Sequence, residues 1–405
     1  MNTRYIQWRE AGKEKFSTVI AGDFCPREEN CADVTARAVE ITAQIKPFFD
    51  DADLKILQWE CTVTRQDTPI DKSGPNHRCY PECTAFATAL GIDTVLLANN
   101  HTGDYGAPGV KDTLDKFRAL GIRTVGAGMN EDEAVEPLRV ECGGFKCSII
   151  NAAEYEFGIA SGGRPGSAAI DICRIALQIK GEKQKGNTVI VTLHGGHEHL
   201  PYPTPRMRSM FRFFAECGAD AVFNCHTHCP LGYEVYNGVP VIYSPGNFYF
   251  PPRPTSLPCW YIGYVPKFHF DANGAYAMEL LPYFNLKQAL TLLDEAETET
   301  FFAYLDGLCA PVADEKELQK IFDAWCAQDG FAGYAGGLFG VPKPESADRR
   351  ESVQKLLGLR NLLTCQAHHD LLRNTMLLLE QYRFAADMEK VALIKAAQTP
   401  EWVRR

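Results

Sequence analysis

Short runs rich in β-branched and apolar residues alternate along the chain with stretches whose apolar positions fall at helical spacing, which is an α/β pattern. Ser17 to Ala21 reads as a strand ending at Gly22-Asp23, Leu54 to Trp59 as one ending at Glu60, and Thr94 to Ala98 as one ending at Asn99-Asn100-His101. Behind the third, Val110, Leu114, Phe117 and Gly121 keep helical spacing after Pro108, a residue suited to a first turn. The design repeats twice more: Thr188 to Leu193 ends at His194, and Ala219 to Asn224 ends at Cys225-His226-Thr227-His228. From Tyr233 to Leu281 the pattern is strand-rich, with turns at Asn237-Gly238, Pro245-Gly246 and Asn273-Gly274, and predicts a second sheet or hairpin layer.

Beyond Phe284 the pattern turns helical, interrupted by a glycine-rich stretch from Gly330 to Pro344 that reads as a flexible loop or, less simply, a lid. Leu359, Leu362, Leu363, Leu371, Leu372, Leu378 and Leu379 then suggest long helices, with His368 and His369 as surface or cap residues. At 405 residues the chain exceeds what one core supports. We expect a main domain over 1–285 and a helical extension over 286–405 packed on it.

Composition narrows the class. The apolar share of 45% and charged share of 23% are those of a globular protein. A net charge of −10 with scattered Lys and Arg lacks the basic footprint of a nucleic-acid binder and favours cations and small substrates. The charged N-terminal stretch has no apolar core of a signal peptide, and no later run has the length of a membrane span, so a cytoplasmic protein without an anchor is expected. Fifteen cysteines, odd in number and irregularly spaced, do not form a disulfide framework and read mostly as small buried hydrophobes.

In open α/β sheets the strand C-termini line the ligand crevice, so Asp23, Glu60, Asn100-His101, His194 and His226-x-His228 could converge. Two carboxylates, an amide oxygen and imidazoles form a mixed N/O set suited to Zn, Mn, Fe or Co. In a two-metal site a carboxylate bridges the ions, and a bridging water ionises near neutral pH to attack phosphorus or carbonyl carbon. Any one strand-end histidine is ordinarily a structural hydrogen-bonder; the recurrence of strand-then-ligand argues for a site.

The strings GDF (Gly22 to Phe24), WECTVT (Trp59 to Thr64), LANNHTGDYGAPGVKDTLDKF (Leu97 to Phe117), GIRTVGAG (Gly121 to Gly128), HGGHE (His194 to Glu198), GADAVFNCHTH (Gly218 to His228) and GVPVIYSPGNFYF (Gly238 to Phe250) resemble the CapA-type poly-gamma-glutamate capsule biosynthesis proteins, in that family's order. That family is a branch of the calcineurin-like metallophosphatase superfamily, and the resemblance spans Ser17 to Phe250. It implies a four-layer αββα sandwich holding two divalent transition metal ions (Mn, Zn or Fe). Asp23 and His228 would ligate the first metal, Glu60 would bridge, and Asn100, His194 and His226 would ligate the second. His101 would face the substrate as proton donor or charge stabiliser, oriented by Asp104. Lys72 matches a lysine downstream of that family's acidic motif and is the candidate substrate-binding cation. Arg65, Arg78, Arg164, Arg206 and Arg253 are further cationic candidates.

The sequence departs from the superfamily pattern where D-x-H reads Asp23-Phe24-Cys25: either the first metal loses a ligand or the Cys25 thiolate supplies it, against the plainer reading of a buried cysteine. Cys225 and Cys229, flanking the histidine pair, raise a zinc-knot alternative, but five adjacent extended residues alternate faces and cannot all meet one tetrahedral ion. A metalloprotease reading of HGGHEH (His194 to His199) fails because two glycines oppose the helix that H-E-x-x-H needs. The expectation is therefore a metal-dependent hydrolase of a phosphoester or related anionic ester or amide, acting on a small or polymeric anionic substrate. The alternative is a non-catalytic, metal-binding accessory in anionic polymer synthesis.

Overall fold

Side chains along a strand point alternately to opposite faces, and here both faces of the central strands are apolar, so each sheet is covered on both sides. In the computed structural model, which describes residues 1–325 apart from 73, 254, 255 and 287, together with Leu363, two large sheets stack with helices outside them. Residues Met1–Asp323 form one compact unit and Ala324–Arg405 a second. The glycine-rich stretch and the histidines at 368 and 369 lie outside the described residues.

The larger sheet orders its strands Arg4–Gln7, Gly274–Asn285, Ile262–Asp271, Phe16–Phe24, Leu54–Trp59, Thr94–Leu96 and Arg123–Val125, the last four mutually parallel. The smaller runs Tyr233–Tyr236, Val239–Ile242, Ala221–Cys225, Thr188–His194, Phe145–Ala153 and Leu138–Cys142, with a parallel core and antiparallel edges. The strand-rich stretch after Tyr233 is not a layer of its own. The turn at Asn237-Gly238, both residues at positive φ, closes a hairpin of the smaller sheet, whereas Ile262–Asp271 and Gly274–Asn285 pair into the larger one.

Three apolar clusters show the layering. Ile20, Ile56 and Leu96 of the larger sheet meet Ile149, Ile190 and Phe223 of the smaller in one buried cluster between the sheets. Their strand neighbours Val19, Leu57 and Val95 face the other way, onto helices Cys31–Thr42, Ala85–Leu90 and Gly106–Ala119. Val189, Val191 and Val222 likewise face Ile172–Gln184 and Pro205–Glu216. This is the four-layer αββα arrangement. In helix Gly106–Ala119 the stripe Val110, Leu114 and Phe117 is buried as its spacing predicts, each side chain contributing about 1.5–3 kcal/mol. Helix Pro205–Glu216 starts on Thr204, whose side chain accepts from the Met207 N–H at 3.2 Å, with proline in the first turn.

Helices follow the sheets at Glu295–Cys309 and Glu315–Trp325. Phe301, Phe302, Leu305 and Leu308 of the first enter the inter-sheet cluster, and the short strand Leu290–Leu292 pairs with the larger sheet. The described cysteines are all free thiols. Among the described residues no helix is long and apolar enough to cross a membrane.

Candidate metal centre

Register carries the strand ends to one place. His194 pairs across the smaller sheet with Ala153 on one side and Cys225 on the other, and Asp23 pairs with Asn247 in the larger. A bulge between Ala21 and Asp23 re-aims the end of that strand. Gly22 permits it: a Cβ there would lie 2.5 Å from the Gly246 carbonyl oxygen.

Asp23, Glu60, His194, His226 and His228 are all buried and close together. His194 Nε2 lies 3.0 Å from His226 Nδ1, 3.1 Å from Asn100 Oδ1 and 3.4 Å from Glu60 Oε1. Its Nδ1 is 3.5 Å from Asp23 Oδ1. Asp23 Oδ2 accepts the backbone N–H of His226 at 2.9 Å, and His228 Nδ1 sits 2.9 Å from Asn247 Oδ1. His226 and His228 hold φ of 104° and 57°, left-handed values that bulky residues adopt only where the surroundings enforce them.

Burial raises the carboxyl groups of Asp23 and Glu60, the latter further through the Asp23 charge. It lowers His194, His226 and His228, so the imidazoles are neutral with lone pairs available. Asp23 Oδ1 and both Glu60 oxygens are buried without any hydrogen-bond partner. Buried acceptors are almost always satisfied. Three orphaned carboxylate oxygens among neutral imidazoles fit divalent cations. Ligand atoms of Asp23, Glu60 and His228, of Glu60, His194 and His226, and of Asp23, His194 and Cys225 each fall within 4.8 Å of one another.

From sequence Cys225 enters only as part of the zinc-knot alternative with Cys229; its neighbours in register place its thiol by Asp23 and His194 instead. Cys25, the thiol considered from sequence, belongs instead to the apolar cluster of Phe24, Cys61 and Phe86. Cys225 and Cys229 enter different apolar clusters, so the two flanking thiols diverge.

The loop after Asn100 is built by Asn99, whose side-chain oxygen accepts the N–H groups of His101 and Thr102 at 2.9 and 2.8 Å. In the resulting turn His101 Nδ1 meets Asp104 Oδ2 at 2.7 Å. Gly103 lets the turn seat directly on the backbone of Gly158. Lys72 pairs with Asp104 Oδ1 and reaches His101 Nδ1 at 3.2 Å and the Asn100 carbonyl at 3.1 Å, while the His77 N–H donates to Asp104 Oδ2 at 2.6 Å. Burial pushes Asp104 up to about 6 against the pull of Lys72 and depresses His101 strongly.

Above these groups lies a cavity of about 470 Å³ lined by Lys72, His77, Asn100, His101 and His228 together with Arg27, Glu156, Glu198, Phe250, Arg253 and Trp260. Trp260 lies against His228, ring centroids 4.5 Å apart. Of the arginines considered from sequence, Arg253 reaches the cavity. Arg65, Arg78 and Arg206 are held in ion pairs with Glu82, with Glu28 and Asp67, and with Glu154, and Arg164 donates to the Ile159 carbonyl. Sequence reasoning missed Arg27, Glu156, Asn247 and Trp260. Asn247 stood inside the motif Gly238 to Phe250 and Arg27 three residues past Gly22 to Phe24; Glu156 and Trp260 arrive on loops with no local signal.

Residues 17–252 match the family described as bacterial capsule synthesis protein PGA_cap. The chain belongs to that family. Among relatives, "Capsule biosynthesis protein CapA" of Bacillus anthracis is 30% identical over 59% of this chain and 59% of its own length. "PGA biosynthesis protein CapA" of Bacillus subtilis (strain 168) is 28% identical over 60% and 65%. A "Probable polyglutamine synthesis accessory protein" of Mycobacterium tuberculosis is 27% identical over 48% and 55%. The match to each relative thus spans less than two thirds of that relative's length.

Proposed function

We propose that this PGA_cap-family chain is a metal-dependent hydrolase of an anionic ester or amide, a phosphoester or a γ-glutamyl-type amide. The observation that carries the reading is the set of orphaned buried oxygens on Asp23 and Glu60, facing neutral histidines under an open cavity. Asp23, Glu60, Asn100, His194, His226 and His228 would hold two divalent transition metal ions, with Cys225 in reach. Bound there, the ions supply Lewis acidity toward a phosphoryl or carbonyl oxygen.

The remaining work falls to the chain. Asp104 and Lys72 fix the His101 ring through Nδ1, leaving Nε2 to serve a substrate in the cavity. With Nδ1 accepting from Lys72, Nε2 carries the hydrogen: it stabilises charge, or passes its proton to the leaving group as Lys72 returns one to Nδ1, worth roughly 10²–10⁴-fold in rate. Lys72 adds positive potential on the same wall, although most of its charge is answered by Asp104.

A second reading is a metal-binding accessory in anionic polymer synthesis; the name of the mycobacterial relative favours its accessory part. Metal analysis and a hydrolysis screen separate the two. Wild type should carry metal, Glu60→Ala and His228→Ala should lose it, and His101→Ala should keep it while losing most turnover. Absence of hydrolysis of any phosphoester, ester or γ-glutamyl amide with Mn, Zn, Fe or Co, alongside metal-dependent binding of poly-γ-glutamate, would establish the accessory role instead.

A further inference from the structure

We propose that Arg27 is an oxyanion-binding residue of this cavity, gripping an anionic group of the substrate other than the one that reacts. The inference rests on the cavity being the substrate site.

Arg27 directly follows the ligand-bearing strand, as Cys25-Pro26-Arg27, and its side chain is only 8% exposed although it lines the cavity. Such burial is unusual for arginine unless it is fully paired. Here it is not. One terminal nitrogen donates to the Pro251 carbonyl and the guanidinium lies over the Phe250 ring, 5.2 Å from its centroid. Nε, however, sits 3.2 Å from Glu29 Oε1 out of line for a hydrogen bond and is a buried donor without an acceptor.

The local charge is also uncompensated. Glu29 Oε1 is shared with Arg253, 3.1 Å away, so two guanidinium groups meet one carboxylate. Burial and the Arg253 charge pull the Arg27 pKa down and outweigh the opposing pull of Glu29 and Cys25. The backbone is strained in the same place: Arg27 has φ 56°, the left-handed region, where a bulky residue persists only if the fold holds it there.

A planar, forked donor lining the cavity suits a carboxylate or phosphate. Phe250 and Trp260 offer apolar ring surface beside it, flanked by the His77 ring, which accommodates a carbon linker. Glu156 and Glu198 line the cavity too, so negative charge is welcomed locally at Arg27 and Arg253 rather than everywhere. The ligand class that fits carries one oxyanion for Arg27 and a separate reacting group for the metal side.

Calorimetric titration of the protein as purified, and again after chelation, with glutarate, inorganic phosphate and uncharged glutaramide tests this without turnover. Glutarate or phosphate should bind wild type and weaken at least tenfold in Arg27→Gln and several-fold in Arg27→Lys, with glutaramide not binding. Loss confined to glutarate assigns a carboxylate; loss confined to phosphate assigns a phosphate. If Arg27→Gln fails to fold, the lysine variant decides, since it keeps the charge but lacks the fork. Equal affinity in wild type and the folded variants, or no binding by wild type, overturns the proposal. Hydrolysis is read separately, so a chain that hydrolyses nothing yet binds glutarate through Arg27 would remove the hydrolase reading and leave this one.

Discussion

Two buried acidic groups in this molecule have opposite surroundings. Asp271, at the hairpin end far along the larger sheet, accepts Arg9 through both oxygens at 2.6 Å and the N–H groups of Gly12 and Asn273 at 2.7 Å. These bonds, with Arg9 foremost, hold its carboxyl well below the ordinary range. Glu60 is as deeply buried, yet neither oxygen has a hydrogen-bond partner, and burial together with Asp23 drives it upward. A carboxylate that serves the fold is satisfied by the chain itself. One left unsatisfied at a strand end costs stability, and the fold retains it where something else supplies the counter-charge.

The sharpest way to break that contrast is Asp271→Asn, which leaves the Arg9 guanidinium short of a counter-charge. Removing one partner of a buried pair typically costs 3–5 kcal/mol. Because the Arg9 side chain is 29% exposed, about 2–4 kcal/mol is expected in urea unfolding. A loss below about 0.5 kcal/mol, the usual size of a neutral surface change, would mean the bidentate pair is not structural.

Glu60→Gln should go the other way in metal-free protein. The amide has nearly the same shape and no charge, so removing an uncompensated buried carboxylate stabilises the fold by about 1–2 kcal/mol. With Mn or Zn added the order reverses, because wild type gains binding energy that the variant lacks. Thermal unfolding with and without chelator reads both signs. If Glu60→Gln destabilises the metal-free protein as Asp271→Asn does, Glu60 is an ordinary structural acid and the candidate centre loses its main support.

The layers and the strand-end residues were legible because both follow local rules. Period-two apolar patterning sorts Val19 from Ile20 and Val189 from Ile190 onto opposite faces, and a polar residue closing such a run must emerge at the sheet edge. The turn that joins His101 to Asp104 is local as well. What the pattern could not show was which strands share a sheet. The stretch after Tyr233 divides between both sheets because pairing partners are chosen by tertiary packing. The approach of Cys225 to Asp23 was not legible, because it depends on the two sheets stacking, and the pattern offered this thiol only to a zinc knot. Trp260 and Glu156 reach the cavity on loops, whose paths no periodicity encodes.

An effect no larger than that at Glu60 is expected at Glu182, a second satisfied acid that extends the contrast to pH. Its residue is 2% exposed, and Oε1 takes Arg139 and Lys185, each at 2.7 Å, while Oε2 takes Asn187 at 2.6 Å. Burial alone would raise its pKa, but Arg139, Lys185 and Asn187 outweigh it and hold the group at about 2. The unfolded value is about 4.3, so the folded carboxyl is depressed. A depressed carboxyl contributes its stability in full above the unfolded pKa and loses it as pH falls toward the folded one. Arg139 and Lys185 are 44% and 55% exposed, which screens the pairing and limits the contribution to about 1–2 kcal/mol. Wild type should therefore exceed Glu182→Gln by that amount at pH 7, and the gap should close between about pH 4.3 and pH 2. Comparing the two proteins at each pH cancels the titration of every other carboxyl group. A gap that stays constant down to pH 2 would show that Glu182 acts through packing or neutral hydrogen bonds, and that its satisfied state is not a matter of charge.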